Sequence, residues 1–159
     1  EVNELILVSA CLAGLKVRYN GTDCLDERIQ RLIADKKAVT VCPEVLGGLS
    51  TPREPAEIVG GNGEDVLDGK AAVINVSGQD VTAAFVKGAY TTLKKAQEDG
   101  ATTVILKESS PSCGSNMIYN GLFEGQKIDG MGVTAALLRR NGITVVSDEQ
   151  LEAFLGGLQ

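Results

Sequence analysis

Four short runs of apolar residues predict strands that are buried on both faces. They lie at residues 5–8, 39–41, 104–106 and 143–146, and each is rich in Val, Ile or Leu. A strand with one solvent-exposed face alternates polar and apolar residues, whereas a strand buried on both faces is a continuous apolar run. The runs therefore favour a parallel sheet with helices packed on its two faces.

Helical periodicity separates the predicted strands. Apolar positions recur at intervals of three and four over residues 25–33, 81–96 and 133–140. Strands that alternate with helices imply right-handed crossovers and a parallel sheet. We predict a single α/β domain over residues 1–159. Its expected architecture is a three-layer open parallel sheet of the Rossmann or flavodoxin-like kind, with helices on both faces.

Capping residues mark where two of the helices begin or end. Asp80 suits the N-cap of the second helix, and Gly100 suits its C-terminal stop. A last helix is predicted from Ser147, because Gln150 three residues later completes a capping box.

Three segments fall outside this strand and helix pattern. Residues 71–76 predict either an extra edge strand or one half of a hairpin. Residues 43–69 and 108–132 are rich in Gly and polar residues and are predicted as loops. Long ordered loops inside a compact domain are usually functional.

Composition narrows the classes of function. The chain has 159 residues and a net charge of −6, which argues against DNA as a partner and makes tRNA an improbable one. No apolar run approaches the roughly 20 residues of a membrane span, and the acidic start shows no signal peptide, so we expect a cytoplasmic protein. The chain contains no histidine, which removes the Ser–His–Asp triad and histidine-ligated metals.

Three of the four cysteines follow predicted strands. Cys11 comes just after the first strand, Cys42 ends the second, and Cys113 lies in the loop after the third. Parallel strands bring their carboxyl ends to one edge of the sheet, where open α/β sheets bind ligands. We expect these three thiols to share a site. Cys24 lies before the first helix on a polar stretch and is predicted to be a packing or peripheral residue.

Three clustered thiols have more than one possible use. The sequence has no CxxC pair, so thioredoxin-like exchange is not indicated. Zinc with three cysteine ligands and a water is one candidate, and an iron–sulfur cube with one iron left open is another. The spacing of the cysteines does not separate the two.

Several motifs then carry a resemblance to a known family. They are Ser-Ala-Cys-Leu-Ala-Gly at 9–14, Val-Cys-Pro-Glu-Val-Leu-Gly-Gly-Leu at 41–49, Thr-Pro-Arg at 51–53, Pro-Ala-Glu-Ile at 55–58 and Ser-Pro-Ser-Cys-Gly at 110–114. In this order they resemble the DUF523 family, which includes thiouracil desulfidases, over nearly the whole chain. The chain departs from the family at Ala13, where a second Leu is more common, and Cys24 matches none of the ligand motifs.

The resemblance implies a cofactor and a reaction. It implies a [4Fe–4S] cluster held by three cysteines, which map onto Cys11, Cys42 and Cys113. The fourth iron, without a protein ligand, would bind the sulfur of a small thiolated substrate such as a thiouracil-type base or nucleoside. Water-derived oxygen would then replace sulfur with no net electron transfer.

The same hypothesis assigns roles to polar residues near the cysteine motifs. Glu44, two residues beyond Cys42, is predicted as the acid–base group, because burial would raise its pKa into a useful range. The two serines beside Cys113 are predicted to donate hydrogen bonds in catalysis. Candidate substrate-binding residues are one serine and three basic residues. The backbone amides at the start of the helix at residue 133 are a further candidate, for an anion site. The serines of the first group are Ser110 and Ser112, and the substrate-binding candidates are Ser9, Arg18, Arg53 and Lys107.

Two other functions compete with the desulfidase. One is a thiol- or metal-based module that binds a small molecule or senses redox state without turnover. The other is a zinc hydrolase with cysteine ligands. The sequence gives no indication of an oligomeric state.

Overall fold

A computed structural model describes residues 5–16, 19–21 and 25–156. Eight strands and six helices lie in these ranges. In chain order they are β1 (Ile6–Ser9), α1 (Glu27–Ala34), β2 (Ala38–Val41), α2 (Pro43–Leu46), β3 (Ala56–Val59), α3 (Gly63–Leu67), β4 (Ala72–Asn75), α4 (Thr82–Glu98), β5 (Thr103–Leu106), β6 (Met117–Tyr119), β7 (Lys127–Asp129), α5 (Val133–Arg140), β8 (Thr144–Ser147) and α6 (Leu151–Gly156).

The four predicted strands form the central sheet. Its order is β2-β1-β5-β8, and all three neighbouring pairs are parallel. The prediction of an α/β fold around an open parallel sheet is confirmed. Because all four strands run the same way, β1, β2 and β5 end at one edge of the sheet.

Alternate residues of each central strand enter two separate cores. Leu7, Leu106 and Val145 pack on one face with side chains of α4 and α5. Ile6 and Ile105 pack on the other face with side chains of α1 and α6. Since both faces are covered, the strands read as apolar runs, which confirms helices on both faces of the sheet.

The helix ends follow the sequence cues with one correction. Ser147 caps the last helical segment and forms the predicted capping box with Gln150. Gly100 adopts φ +67 just after α4, as its predicted C-terminal stop requires. The N-cap of α4 is Val81 and not Asp80. Asp80 lies one residue earlier and still accepts a hydrogen bond from the Thr82 N–H at 2.8 Å.

Two segments predicted as loops contain regular structure. Residues 43–69 hold α2, β3 and α3, and residues 108–132 hold the antiparallel pair of β6 and β7. The prediction was wrong because these elements are short and their strands belong to two-stranded sheets outside the central one. Strand β4 pairs antiparallel with β3, so residues 71–76 form half of a hairpin.

Two glycines seat α2 against α4. A Cβ atom on Gly88 would lie 1.9 Å from the carbonyl oxygen of Pro43, and one on Gly47 would lie 2.0 Å from the carbonyl oxygen of Ala84. Only residues without a side chain permit this approach. The contact fixes α2, and with it Cys42 at its N-cap, relative to the long helix α4.

No helix among the described residues is both long enough and apolar enough to cross a membrane.

Candidate active site

A cavity of about 360 Å³ opens at the carboxyl edge of the sheet. It is lined by residues that follow β1, β2 and β5, by the segment before β3, and by the hairpin of β6 and β7. The predicted site residues that line it are Ser9, Cys11, Cys42, Glu44, Arg53, Lys107, Ser110 and Cys113.

Cys11 and Cys42 are held directly by the ends of their strands. Cys11 lies in a 3-10 turn over Ala10–Ala13 that begins where β1 ends, and it is buried. Gly14 ends that turn with φ +94, a conformation that favours glycine. Cys42 is the N-cap of α2 and is half-buried. Both thiols are therefore attached to rigid backbone.

Cys113 lies on a longer loop that is pinned to the start of α5. The N–H groups of Val133 and Thr134 donate to the carbonyl oxygens of Pro111 and Ser112, at 2.8 and 2.9 Å. The amides that we considered for an anion site are therefore occupied by the loop itself. The free N–H groups of the first turn of α5 thus bind the loop and hold Cys113 in the wall of the cavity.

The three thiols lie close enough together for their charges to interact. Burial raises the pKa of the Cys113 thiol well above its usual range, and the charges of Glu44, Cys42 and Cys11 raise it further. Burial also raises the pKa of Cys42. Three adjacent thiolates without a cation repel one another, so this group of donors fits a ligand that carries positive charge among them.

Three thiol donors without histidine suit an iron–sulfur cube. Tetrahedral zinc holds its sulfur ligands only about 3.8 Å apart, given a zinc–sulfur distance near 2.3 Å. In the parts of the chain that the structure describes, no three Cys, Asp or Glu side chains group as they would around one ion. A cube takes each thiolate on a different iron and so accepts thiols spread around a wider cavity.

Glu44 faces the same cavity in a buried ion pair. Its Oε1 accepts a hydrogen bond from Arg53 Nε at 3.0 Å, and the two side chains are only 15% and 9% exposed. Burial raises the pKa of Glu44 although the Arg53 charge works to lower it. Arg53 is itself anchored, because its Nη1 donates to the Ser50 carbonyl and to Thr51 Oγ1.

Ser9 and Lys107 link two strand ends beneath the cavity. Ser9 Oγ accepts the Lys107 N–H at 2.9 Å, and Lys107 Nζ lies 3.5 Å from Asp148 Oδ2. Ser110 Oγ accepts the N–H of Cys113 at 2.7 Å. All three predicted residues therefore line the cavity and also brace its wall.

Three sequence predictions fall elsewhere. Ser112 is fully buried outside the cavity lining, where its hydroxyl lies 2.7 Å from Thr134 Oγ1. Arg18, predicted to bind substrate, and Cys24, predicted to be a packing or peripheral residue, lie outside the described residues.

The sequence interpretation missed part of the lining. Glu108, which directly follows Lys107, lines the cavity, and its position just beyond a strand end was an available signal. Glu57, Tyr119 and Lys127 line the far wall, with Lys127 Nζ 5.6 Å from the centre of the Tyr119 ring. These three come from short strands inside segments predicted as loops.

Comparison with known proteins places the chain among sulfur-removing enzymes. The model of a family described as 2-thiouracil desulfurase matches residues 6–150. YbbK of Bacillus subtilis strain 168, an uncharacterized protein, is 57% identical over 151 residues that cover 95% of this chain and 100% of YbbK. The solved structure of a [4Fe–4S]-dependent thiouracil desulfidase, TudS, is 46% identical with a TM-score of 0.86 and covers 98% of this chain and 97% of its own.

Proposed function

The chain belongs to the 2-thiouracil desulfurase family, and from that premise we propose that it is a [4Fe–4S]-dependent desulfidase of thiouracil-type substrates. The overall change is the replacement of the C=S sulfur by the oxygen of water, which releases sulfide and transfers no net electrons. One observation carries the proposal: three cysteines, two at strand ends and one in the loop after β5, line one cavity together with a buried carboxylate.

Cys11, Cys42 and Cys113 are the proposed ligands of the cluster. With three protein ligands, such a cluster supplies an open iron that acts as a Lewis acid toward the thiocarbonyl sulfur. The chain's contribution is to hold the three sulfur atoms still. Two of them stand at strand ends, and the third stands in a loop that is hydrogen-bonded to α5.

Glu44 is the proposed acid–base residue. It lines the cavity beside the cysteines, which supports a role in activating a water bound there. It takes one proton from that water and passes it to the sulfur that leaves as sulfide, so that water supplies both the product oxygen and the proton. Arg53 holds the Glu44 carboxylate in one orientation through the 3.0 Å contact.

Polar groups around the cavity have proposed roles in binding. The buried Ser9 and the half-buried Ser110 present hydroxyls that can hydrogen-bond a planar heterocycle, and Lys107 adds a charge to the lining. Ser112 is proposed to act indirectly, because its hydroxyl bonds Thr134 and not the cavity.

A small thiolated base or nucleoside is the proposed substrate class. A cavity of about 360 Å³ suits a small ligand, and the net charge of −6 opposes DNA or RNA as partners. The proposed setting is the cytoplasm, where thiols stay reduced. None of the cysteines in the described ranges forms a disulfide.

The test pairs metal analysis with turnover. Protein reconstituted without oxygen should carry about four irons and four sulfides per chain and release sulfide from thiouracil. Cys42→Ala should lose iron and turnover together, whereas Glu44→Gln should keep its iron and lose turnover. A colourless zinc protein, or a reversible thiol oxidation with no sulfide released, would replace this proposal with a zinc hydrolase or a redox sensor.

A further inference from the structure

Glu108 stands at the entrance to the loop that carries Cys113, here called the cavity loop and defined as residues 109–117. Its side chain is buried, with 4% of the residue exposed. We infer that Glu108 is a positioning residue whose carboxylate gathers both ends of the cavity loop and so fixes the place of the Cys113 thiol. This inference rests on the proposed function and deepens it.

Most of the hydrogen bonds to the carboxylate come from the loop. One oxygen, Oε1, takes four backbone N–H groups, and the other, Oε2, takes one side-chain amide. The donors to Oε1 are Ser115 at 2.7 Å, Asn116 at 3.1 Å, Ser109 at 3.2 Å and Met117 at 3.2 Å, and the donor to Oε2 is Asn116 Nδ2 at 3.2 Å. An oxygen engaged by four donors is not placed to accept a proton from water, although Glu108 also lines the cavity.

The contacts join the two ends of the loop and leave its middle to a second acceptor. Ser109 lies at the start of the loop, and Ser115 and Met117 lie near its end, so one oxygen closes the loop at its base. In the middle, Ser110 Oγ accepts the N–H groups of Ser112 and Cys113, at 3.2 and 2.7 Å. Glu108 and Ser110 thus accept six backbone N–H groups of the loop, from residues before and after Cys113 and from Cys113 itself.

Ser109 has a strained backbone conformation, which the hydrogen bond to Glu108 helps to maintain. Ser109 adopts φ +76, which is costly for a residue with a side chain, and its N–H donates to Glu108. Glu108 is itself fixed, because its N–H donates to Asp148 Oδ1 at 2.8 Å. Burial works to raise the pKa of Glu108, but hydrogen bonds from the loop amides and from Ser147 bring it below the usual range, as expected for a carboxylate that stays ionised.

The experiment compares the full-length wild type with Glu108→Gln, Glu108→Ala and the control Glu149→Gln. Glu149 lines the same cavity but belongs to the turn after β8, where its N–H donates to Ser147 Oγ at 3.0 Å. Amide hydrogen exchange is measured residue by residue, with and without the cluster, and iron loss to a chelator is followed in the reconstituted protein. Exchange does not require turnover, so it tests Glu108 even if the protein proves not to be a desulfidase.

We expect faster exchange only in the cavity loop, largest in Glu108→Ala and smaller in Glu108→Gln. Hydrogen bonds to a charged group are strong. In Glu108→Ala the amides of the cavity loop should therefore exchange about tenfold faster or more, and the rate of iron loss should rise by a similar factor. Glu108→Gln keeps one acceptor oxygen and should fall between Glu108→Ala and the wild type. Exchange in β1 and β5, and both measurements in Glu149→Gln, should match the wild type.

Two results would overturn the inference. One is wild-type exchange at Ser115, Asn116 and Met117 in Glu108→Gln. The other is faster exchange of the loop with no change in iron loss, which would make Glu108 a brace that does not position Cys113. If Glu108→Ala fails to fold, Glu108→Gln alone decides the question, because it preserves the size of the side chain.

Discussion

The substitution Gly88→Ala tests whether the position of α2 against α4 determines metal binding separately from the stability of the fold. The added Cβ would lie 1.9 Å from the Pro43 carbonyl oxygen, where ordinary contact begins at 3.4 Å. Because the obstacle is backbone and not a flexible side chain, α2 must move away from α4 by about 1.5 Å. Cys42 is the N-cap of α2 and is expected to move with it.

The magnitudes predict that folding suffers less than metal binding. Alanine in place of glycine inside a helix gains about 1 kcal/mol, and overpacking costs about 1–3 kcal/mol, so the net loss of stability is at most about 2 kcal/mol. For a chain of this size that lowers the melting temperature by no more than about 8 °C. Metal–ligand distances, in contrast, tolerate only about 0.2 Å. A displaced Cys42 should therefore cost the protein most of its iron.

The assay measures iron per chain after anaerobic reconstitution, beside a thermal unfolding curve. Lys87→Ala is the matched control, since it changes the neighbouring, exposed position on the same helix. The control should keep wild-type iron and a wild-type melting temperature. Full iron content in a folded Gly88→Ala protein would refute the claim that the contact between α2 and α4 sets the place of Cys42.

Three further predictions concern other parts of the molecule. Arg53→Gln should reduce sulfide release at least about tenfold with iron unchanged, because Glu44 loses the partner that orients it; unchanged turnover would contradict that role. Ser112→Ala should lower the melting temperature by about 2–4 °C, since it removes the bond to Thr134, worth about 1 kcal/mol. A hydrogen bond from the Arg28 guanidinium lowers the pKa of Asp26, the N-cap of α1. The stability that the ionised Asp26 adds is therefore complete above a pH of about 4 and is lost as the pH falls through the lowered pKa. The loss of stability in Asp26→Ala, measured by denaturant unfolding, should be about 1 kcal/mol at pH 7 and vanish toward pH 2.

The central sheet could be predicted because its strands are buried on both faces. Residues 104–106 are apolar without alternation, and each enters one of the two cores of the domain. Once the strands are parallel, the positions of Cys11 and Cys42 at one edge follow from topology alone. Their convergence did not depend on any contact that the sequence would have to reveal.

The far wall of the cavity could not be predicted in the same way. Strand β7 has three residues, all exposed, and it pairs only with β6. Such a strand shows no buried face and therefore no period in its sequence. Tyr119 and Lys127 reach the cavity through this pairing, so their place was not visible in the hydrophobic pattern.

Cys113 differs from the other two proposed ligands in what holds it. Cys11 and Cys42 follow their strands almost at once, whereas Cys113 lies well beyond the end of β5 at Leu106. Its place depends on backbone N–H groups that bond to Glu108 and Ser110, and such groups carry no residue identity that a sequence pattern could display. Substitutions outside the ligands should therefore release iron most readily on the Cys113 side of the cavity, where position rests on hydrogen bonds and not on the strands.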